Sequence, residues 1–253
     1  MSVLIARVTA WGLRLTKFAS AHALLLITSA VGGLFFAGLT AASADVYEAV
    51  AEQDGMAGLD QPVLEMAVAS RTPLNEQLVT WFTNLGGTVG MTVIAAAIIG
   101  LMFWRWRSRS ALILMGVAIA GSLAFTSVGK RIVGRARPPL EFAVPPYEYA
   151  FSFPSGHTLN STVIAGITAY LVWTRTSSRL IRAVAVVAAI AWSAAMGWSR
   201  VFLGHHWLTD VVFAWLLGLA WLTLLITIHR VFLHVREVQR RIGGTAAMNG
   251  RTD

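Results

Sequence analysis

Six long stretches of this chain carry no Asp, Glu, Lys or Arg: residues 18–44, 77–104, 110–129, 149–174, 183–199 and 211–229. A bilayer core is crossed by about 20 mostly apolar residues in helical form, because it holds no water to satisfy backbone N–H and C=O groups. Runs of this length predict an all-α, polytopic membrane bundle with six transmembrane helices. The 183–199 run is close to the lower limit for a span, and the 149–174 run opens on a loop-like segment containing Pro154. Composition agrees with a membrane class: 13% of the 253 residues are charged, about half of what a soluble domain carries.

The charges that remain are sorted by loop. Arg7, Arg14 and Lys17 precede the first run, and Arg105, Arg107 and Arg109 follow the second. Arg175, Arg179 and Arg182 follow the fourth, and Arg230, Arg236, Arg240, Arg241 and Arg251 follow the sixth, which makes 14 of the 20 basic residues in alternate loops. Lys and Arg accumulate on the cytoplasmic side. The expected topology is a multi-pass cell-membrane protein with residues 1–17 and the tail 233–253 cytoplasmic and residues 45–76 extracytoplasmic. Residues 43–76 hold seven acidic side chains against the single cation Arg71. The net charge of +8 is thereby spent on orientation, and no nucleic-acid partner is expected. Trp104, Trp106, Trp173, Trp198 and Trp207 fall near the ends of runs, where interfacial anchors belong.

Several smaller readings complete the organisation. The chain has no cysteine, which removes disulfides and thiolate metal sites. The basic start, the apolar run and Ala42-Ser43-Ala44 contain the parts of a cleavable leader. The run is, however, about twice as long as a usual leader core, and it reads as an uncleaved anchor. Val63, Leu64, Met66, Ala67 and Leu74 suggest a short helix lying on the membrane surface within 45–76. The tail is expected to be helical at first and to fray after Gly243-Gly244. With no fixed-period repeat and no second domain, residues 1–253 read as one membrane domain.

Three polar clusters do not fit a purely structural account. Lys130, Arg131, Arg135 and Arg137 put four cations within eight residues on the acidic side of the membrane. They read either as a basic loop meeting lipid headgroups or as a cradle for an anion, since guanidinium and ammonium groups both suit phosphate. Pro154-Ser155-Gly156-His157 then opens the fourth run. It reads as a helix start whose free N–H groups and dipole bind phosphate; an ordinary N-cap would explain Ser155 but not His157. Last come Ser199-Arg200, His206 and Asp210. If helix has begun, His206 and Asp210 share one face, and a carboxylate on one ring nitrogen leaves the other free to attack. The plainer alternative is a capping Asp beside an interfacial His. Neighbouring His205 is given no role.

Lys130 followed after six residues by Arg137-Pro138, then Pro154-Ser155-Gly156-His157, then Ser199-Arg200, His206 and Asp210 resemble the three-part signature of the type 2 phosphatidic acid phosphatase family, whose superfamily includes the vanadium haloperoxidases. The likeness spans residues 130–210 and implies a catalytic core over about 110–230. It implies that His206 attacks phosphorus to form a phosphohistidine, that Asp210 orients it, and that His157 protonates the leaving oxygen and later activates water. Lys130, Arg137, Arg200, the Ser155 hydroxyl and the Gly156 N–H are implied to hold the phosphate oxygens. No metal or other cofactor is expected, because the cations stand where a metal would act and no further carboxylate cluster accompanies them.

The expected activity is hydrolysis of a lipid phosphate or diphosphate on the extracytoplasmic side. Undecaprenyl diphosphate is slightly preferred over phosphatidic acid and phosphatidylglycerol phosphate. Transfer to an acceptor other than water, and a non-catalytic lipid transporter, are the alternatives. Haloperoxidase chemistry is disfavoured by six spans. Arg131 and Arg135 lie outside the signature, open between a second phosphate or headgroup contact and a structural or topological role.

Overall fold

The computed structural model describes residues 2–249, and the side chains of 23–240. Among the described residues there are eight α-helices: α1 (Ser2–Glu52), α2 (Asp60–Ala69), α3 (Pro73–Leu85), α4 (Thr88–Trp106), α5 (Arg109–Val133), α6 (Gly156–Arg175), α7 (Arg179–Phe202) and α8 (Leu208–Asn249). There is no strand among the described residues. Short 3-10 turns occupy Gly55–Leu59 and Leu140–Phe142.

The six uncharged runs correspond to α1, α4, α5, α6, α7 and α8, with three departures from expectation. First, the 77–104 run is not one helix. It breaks at Gly86-Gly87, and α3 begins earlier at a capping box in which Thr72 and Asn75 satisfy each other's backbone N–H. Second, the 45–76 segment is mostly helical. Asp45, Glu48 and Glu52 ride on the end of α1, and α2 buries Leu64 and Ala67 rather than lying free on a surface. Met66 and Leu74 of the expected surface helix are exposed. Third, α8 continues through Gly243-Gly244 to Asn249, past the expected point of fraying.

Five helical segments among the described residues are long and apolar enough to span a bilayer: Ala23–Glu52, Thr88–Trp106, Arg109–Val133, Arg179–Phe202 and Leu208–Arg240. Only 17% of the most apolar part of α4 is buried, with Val89, Val93 and Leu101 facing outward. A water-soluble protein does not leave such a surface uncovered. The remaining run, the fourth, forms α6, which has 20 residues; at 1.5 Å each that is about the hydrocarbon thickness. Its first two turns carry Gly156, His157, Thr158, Asn160, Ser161 and Thr162, so its composition falls short of a lipid-facing span. The packing explains the difference: α6 is the inner helix, contacting α4, α5 and α7 and burying Leu159, Val163, Ile167 and Leu171.

Residues 37–222 pack as one unit and contain every candidate site residue; the chain ends, up to Phe36 and from Thr223, form another. Within the first unit α8 meets α5, α6 and α7 through paired small and large residues. Trp221 lies over Gly121, Leu222 over Gly166, and Trp215 over Gly197. The Trp221 indole N–H donates to the Ala118 carbonyl at 3.1 Å, and the Trp215 indole N–H to that of Ser193 at 3.1 Å. Without water to drive association, close backbone approach and interhelical hydrogen bonds of this kind hold membrane helices together. In the second unit Gly32 faces Thr227 so closely that a Cβ would lie 2.1 Å from its hydroxyl oxygen.

Candidate active site

All three polar clusters arrive at one end of the helices: the close of α5, the start of α6, the close of α7 and the start of α8. The connecting segment 134–155 is lashed down by backbone bonds. Ser152 N–H donates to the Arg135 carbonyl at 2.8 Å and Val144 N–H to that of Leu203 at 2.9 Å. Arg71 ties the same segment to the end of α7, donating to the Phe202 carbonyl at 2.7 Å and the Phe142 carbonyl at 2.8 Å. The turn after α7 requires glycine. Gly204 has φ +71°, and a Cβ there would stand 2.1 Å from the Phe142 carbonyl oxygen.

That turn delivers His206, buried to 1% exposure. The residue lies before α8, so its pairing with Asp210 is not a contact along a helix face. The helix starts at Leu208, and Asp210 reaches back to accept from the Trp207 N–H at 3.0 Å, as a helix-capping carboxylate does. The same Oδ2 stands 3.1 Å from His206 Nδ1. The two readings of Asp210, the plain cap and the partner of His206, are thus realised by one oxygen. Arg137 Nη1, which can only donate, lies 3.2 Å from His206 Nε2. A donor at Nε2 and a carboxylate at Nδ1 assign the tautomer: the proton is on Nδ1, and Nε2 presents a lone pair.

Asp210 is held by residues outside the signature. Ser152 Oγ donates to its Oδ2 and lies 3.3 Å from His206 Nδ1. Arg135 donates to its Oδ1 at 2.7 Å and to Asp60 Oδ2 at 2.6 Å. Asp60 in turn accepts from the Thr209 N–H at 2.8 Å and the Thr209 hydroxyl at 2.7 Å. Arg135 thus bridges two buried carboxylates, the geometry of the structural role among the alternatives left open for it. Arg131, the other undecided cation, is exposed.

The signature cations converge on the other side of His206. Arg137 is fixed by the Ala150 and His205 carbonyls, each at 2.6 Å, and Lys130 Nζ donates to the Phe151 carbonyl. Arg200, 1% exposed, donates to the Thr83 hydroxyl at 2.9 Å. Between the two arginines lies Glu148, a residue the sequence reading passed over. Its Oε2 is 2.8 Å from Arg137 Nη2, and its Oε1 pairs with Arg200 Nη2.

A cavity of about 380 Å³ opens beside these groups. Lys130, Arg137, Glu148, Gly156, His157 and His206 line its polar end, while Met91, Ala95, Ile119, Leu123 and Ile164 form an apolar wall. An adjoining groove shares Met91 and Ile164 and continues past Ile94, Ile98 and Trp192. His157 sits against the α3–α4 turn, its ring 3.3 Å from where a Cβ on Gly86 would be. Gly156 opens α6 at the cavity, as expected of its N–H. Ser155 is different: it is fully buried and its hydroxyl pairs with Thr158 Oγ1 at 2.9 Å.

The electrostatics favour a neutral imidazole. Burial pushes His206 well below the usual histidine range, and Arg137 and Arg200 push it further. Burial, with the Arg200 charge, likewise holds His205 down to about 4; its Nε2–H donates to the Val144 carbonyl at 2.7 Å. Burial raises the Glu148 carboxyl, but the Arg200 and Arg137 guanidinium groups outweigh it and hold the group well below the usual carboxylate range. Among the described residues no cluster of three His, Asp or Glu side chains has metal-binding geometry.

Comparison with known proteins places this arrangement. Residues 110–233 match the model of the PAP2 superfamily. The chain is 31% identical over 170 residues to phosphatidylglycerophosphatase B of Bacillus subtilis, covering 63% of this chain and 78% of that protein. It is 31% identical over 130 residues to an undecaprenyl-diphosphatase of Sulfolobus acidocaldarius, covering 49% and 57% respectively. The crystal structure of a transmembrane PAP2-type phosphatidylglycerolphosphate phosphatase from Bacillus subtilis superposes with a TM-score of 0.64 at 26% identity, over 78% of this chain and 94% of that one. The Aquifex aeolicus LpxE structure, at 19% identity and a TM-score of 0.50, over 66% of this chain and 94% of that one, shares the fold.

Proposed function

The chain belongs to the PAP2 superfamily as a membrane lipid phosphatase, and from that premise we propose that it hydrolyses its substrate through a phosphohistidine on His206. The observation that carries this reading is the His206 tautomer, with Nδ1 toward Asp210 and an Nε2 lone pair at the cavity. Substrate phosphate displaces Arg137 from Nε2 and takes its guanidinium as a ligand. His206 Nε2 then attacks phosphorus while the bond to the lipid oxygen breaks, and His157 gives that oxygen a proton. In the second half-reaction His157 takes a proton from water, the water oxygen bonds to phosphorus, and the P–N bond breaks. Dividing the displacement replaces one difficult step by two easier ones. Lys130, Arg137, Arg200 and the Gly156 N–H stabilise charge on the equatorial oxygens. Ser155 contributes by fixing the start of α6 rather than by touching phosphate, since its hydroxyl is engaged with Thr158.

The apolar wall beside the polar end of the cavity supports a lipid rather than a soluble ester. Two substrates are named by the relatives' activities, phosphatidylglycerol phosphate and undecaprenyl diphosphate, and both fit a phosphate carried on an apolar tail. The basic loops at 105–109 and 175–182 lie at the opposite end of α5, α6 and α7 from the site, where Arg175 and Arg182 also stack over Trp106 and Trp173. That arrangement supports an extracytoplasmic site and cytoplasmic termini.

The test is phosphate release by detergent-purified protein from undecaprenyl diphosphate, phosphatidic acid and phosphatidylglycerol phosphate. His206→Ala is expected to abolish release from all three while the protein remains folded. His157→Ala is expected to let an acid-labile phosphoenzyme accumulate on the substrate with the best leaving group. Normal turnover by His206→Ala would remove the proposed nucleophile, and the wild-type ranking names the substrate.

A further inference from the structure

Among the described residues Arg200 is the largest fully buried side chain, and a buried guanidinium is strongly disfavoured without a counter-ion. Its Nη1 faces a neutral hydroxyl, Thr83 Oγ1 at 2.9 Å, and its Nε has no hydrogen-bond partner. The negative charge that balances it is the Glu148 carboxylate, one oxygen on Arg200 and the other on Arg137 at 2.8 Å. These are two of the cations that the phosphate oxygens must reach. Glu148 also lines the catalytic cavity together with Lys130, His157 and His206.

Geometry makes the two anions competitors. A carboxylate spanning both guanidinium forks occupies the donors that a tetrahedral phosphate would use. Glu148 is the more accessible of the two, its side chain 30% exposed whereas Arg200 is 1% exposed. The enclosed partner is the cation, and the acid is the one with solvent to move into. His205 adds to this asymmetry. Its Nδ1, buried and unpartnered, lies 3.9 Å from Glu148 Oε1. Because Nε2 carries the ring proton toward Val144, that Nδ1 offers the carboxylate a lone pair rather than a hydrogen bond.

We propose that Glu148 takes part in each turnover as an exchange ligand: it leaves the arginine pair when substrate phosphate enters, and its return displaces the inorganic phosphate product. The proposal rests on the phosphatase reading above and deepens it. Without such a competitor, a cradle able to stabilise a phosphoryl transition state would also retain free phosphate. With it, Arg200 keeps a counter-ion throughout the cycle, alternately the carboxylate and the phosphate. No bond is made or broken in the exchange. One anion replaces another on Arg137 and Arg200, and the displaced carboxylate goes to the solvent-facing side.

The experiment measures binding of inorganic phosphate, and separately of orthovanadate, to the full-length protein in detergent, alongside steady-state kinetics. Glu148→Gln retains the size of the side chain and removes the competing charge. Phosphate is expected to bind at least tenfold tighter, and kcat and KM are both expected to fall as product release slows. A merely structural bridge between the arginines predicts the reverse, because losing it would let Arg137 and Arg200 separate. Unchanged or weaker phosphate binding by a folded Glu148→Gln protein therefore overturns the proposal.

Glu148→Asp serves as the second variant, keeping the charge but unable to span both forks. Tighter phosphate binding there supports exchange, and weaker binding again overturns it. The binding readout needs no turnover. If His206→Ala left phosphate release unaffected, the phosphohistidine reading would fall while the affinities still reported on Glu148.

Discussion

The two sides of His206 are built on opposite principles. Toward Nδ1, the network of Asp210, Ser152, Arg135, Asp60 and Thr209 is buried, and its carboxylate oxygens each accept at least one hydrogen bond. Toward Nε2, Arg137 and Lys130 line an open cavity, and Arg137 and the buried Arg200 share a partly exposed acid. Satisfied buried polar networks rigidify a site, whereas a cationic cradle must release what it binds. In the proposed mechanism the difference separates orientation from binding: one face fixes the imidazole, and the other exchanges anions.

The contrast is broken most severely at Asp210. Asp210→Asn keeps the shape but removes the charge that holds the Nδ1 proton, and an amide can turn its NH₂ toward Nδ1 and favour the wrong tautomer. A carboxylate lost from a comparable His–Asp pair costs about 10⁴ in rate, and a fall in kcat of about 10³–10⁴ is expected here with KM little changed. An unchanged kcat would show that the orienting face is dispensable.

Arg135→Gln tests the same face one bond further out. Arg135 does not line the cavity, so its loss is expected to lower kcat by about 10–100-fold, the equivalent of one charge-assisted hydrogen bond of about 1.5–3 kcal/mol. Arg135→Lys is expected to recover part of that loss, and Asp60→Asn to show a smaller fall in the same direction. A rise in KM at constant kcat would instead put Arg135 among the substrate ligands. Steady-state kinetics on one lipid phosphate decide between them.

This division also explains what could be read from the sequence. The exchanging face was legible because its chemistry is carried by spaced signature residues: Lys130, Arg137, His157, Arg200 and His206 announce themselves by type and interval. Of the orienting face only Asp210 was. Asp60 lies 149 residues from Thr209, and nothing in the acidic stretch 43–76 distinguishes it from Glu48 or Glu65. Glu148 escaped for a related reason: one of two acids in a Pro- and Tyr-rich loop, beside Glu141, it carries no spacing signal, and only the fold sets it between Arg137 and Arg200. At the level of helices, uncharged runs located the spans. The 77–104 run misled because absence of charge does not register a break at Gly86-Gly87, although paired glycines are a turn signal. The polar start of α6 could have been read as burial within the bundle rather than as contact with lipid.

The smallest expected effect concerns pH and sharpens the contrast most finely. In the proposed mechanism attack requires neutral His206, so activity is expected to be lost as pH falls through the pKa of that imidazole. Burial first, then Arg137 and Arg200, with a smaller push from Lys130, hold this pKa well below the usual range, while Glu148 opposes them. The acidic limb belonging to His206 therefore lies at low pH in the wild type. Arg137→Gln removes one of the depressing charges, so His206 titrates at higher pH and the acidic limb of kcat/KM moves upward. The phosphate of the substrate titrates too, near pH 6, but identically for both proteins on the same lipid, and the difference between the two profiles isolates the enzyme. Arg135→Gln supplies the counter-case. Its guanidinium acts through Asp210 on the orienting face, so its loss is expected to reduce the height of the profile far more than to shift it. Two coincident profiles differing only in height for Arg137→Gln would mean that the exchanging face does not set the charge of the nucleophile.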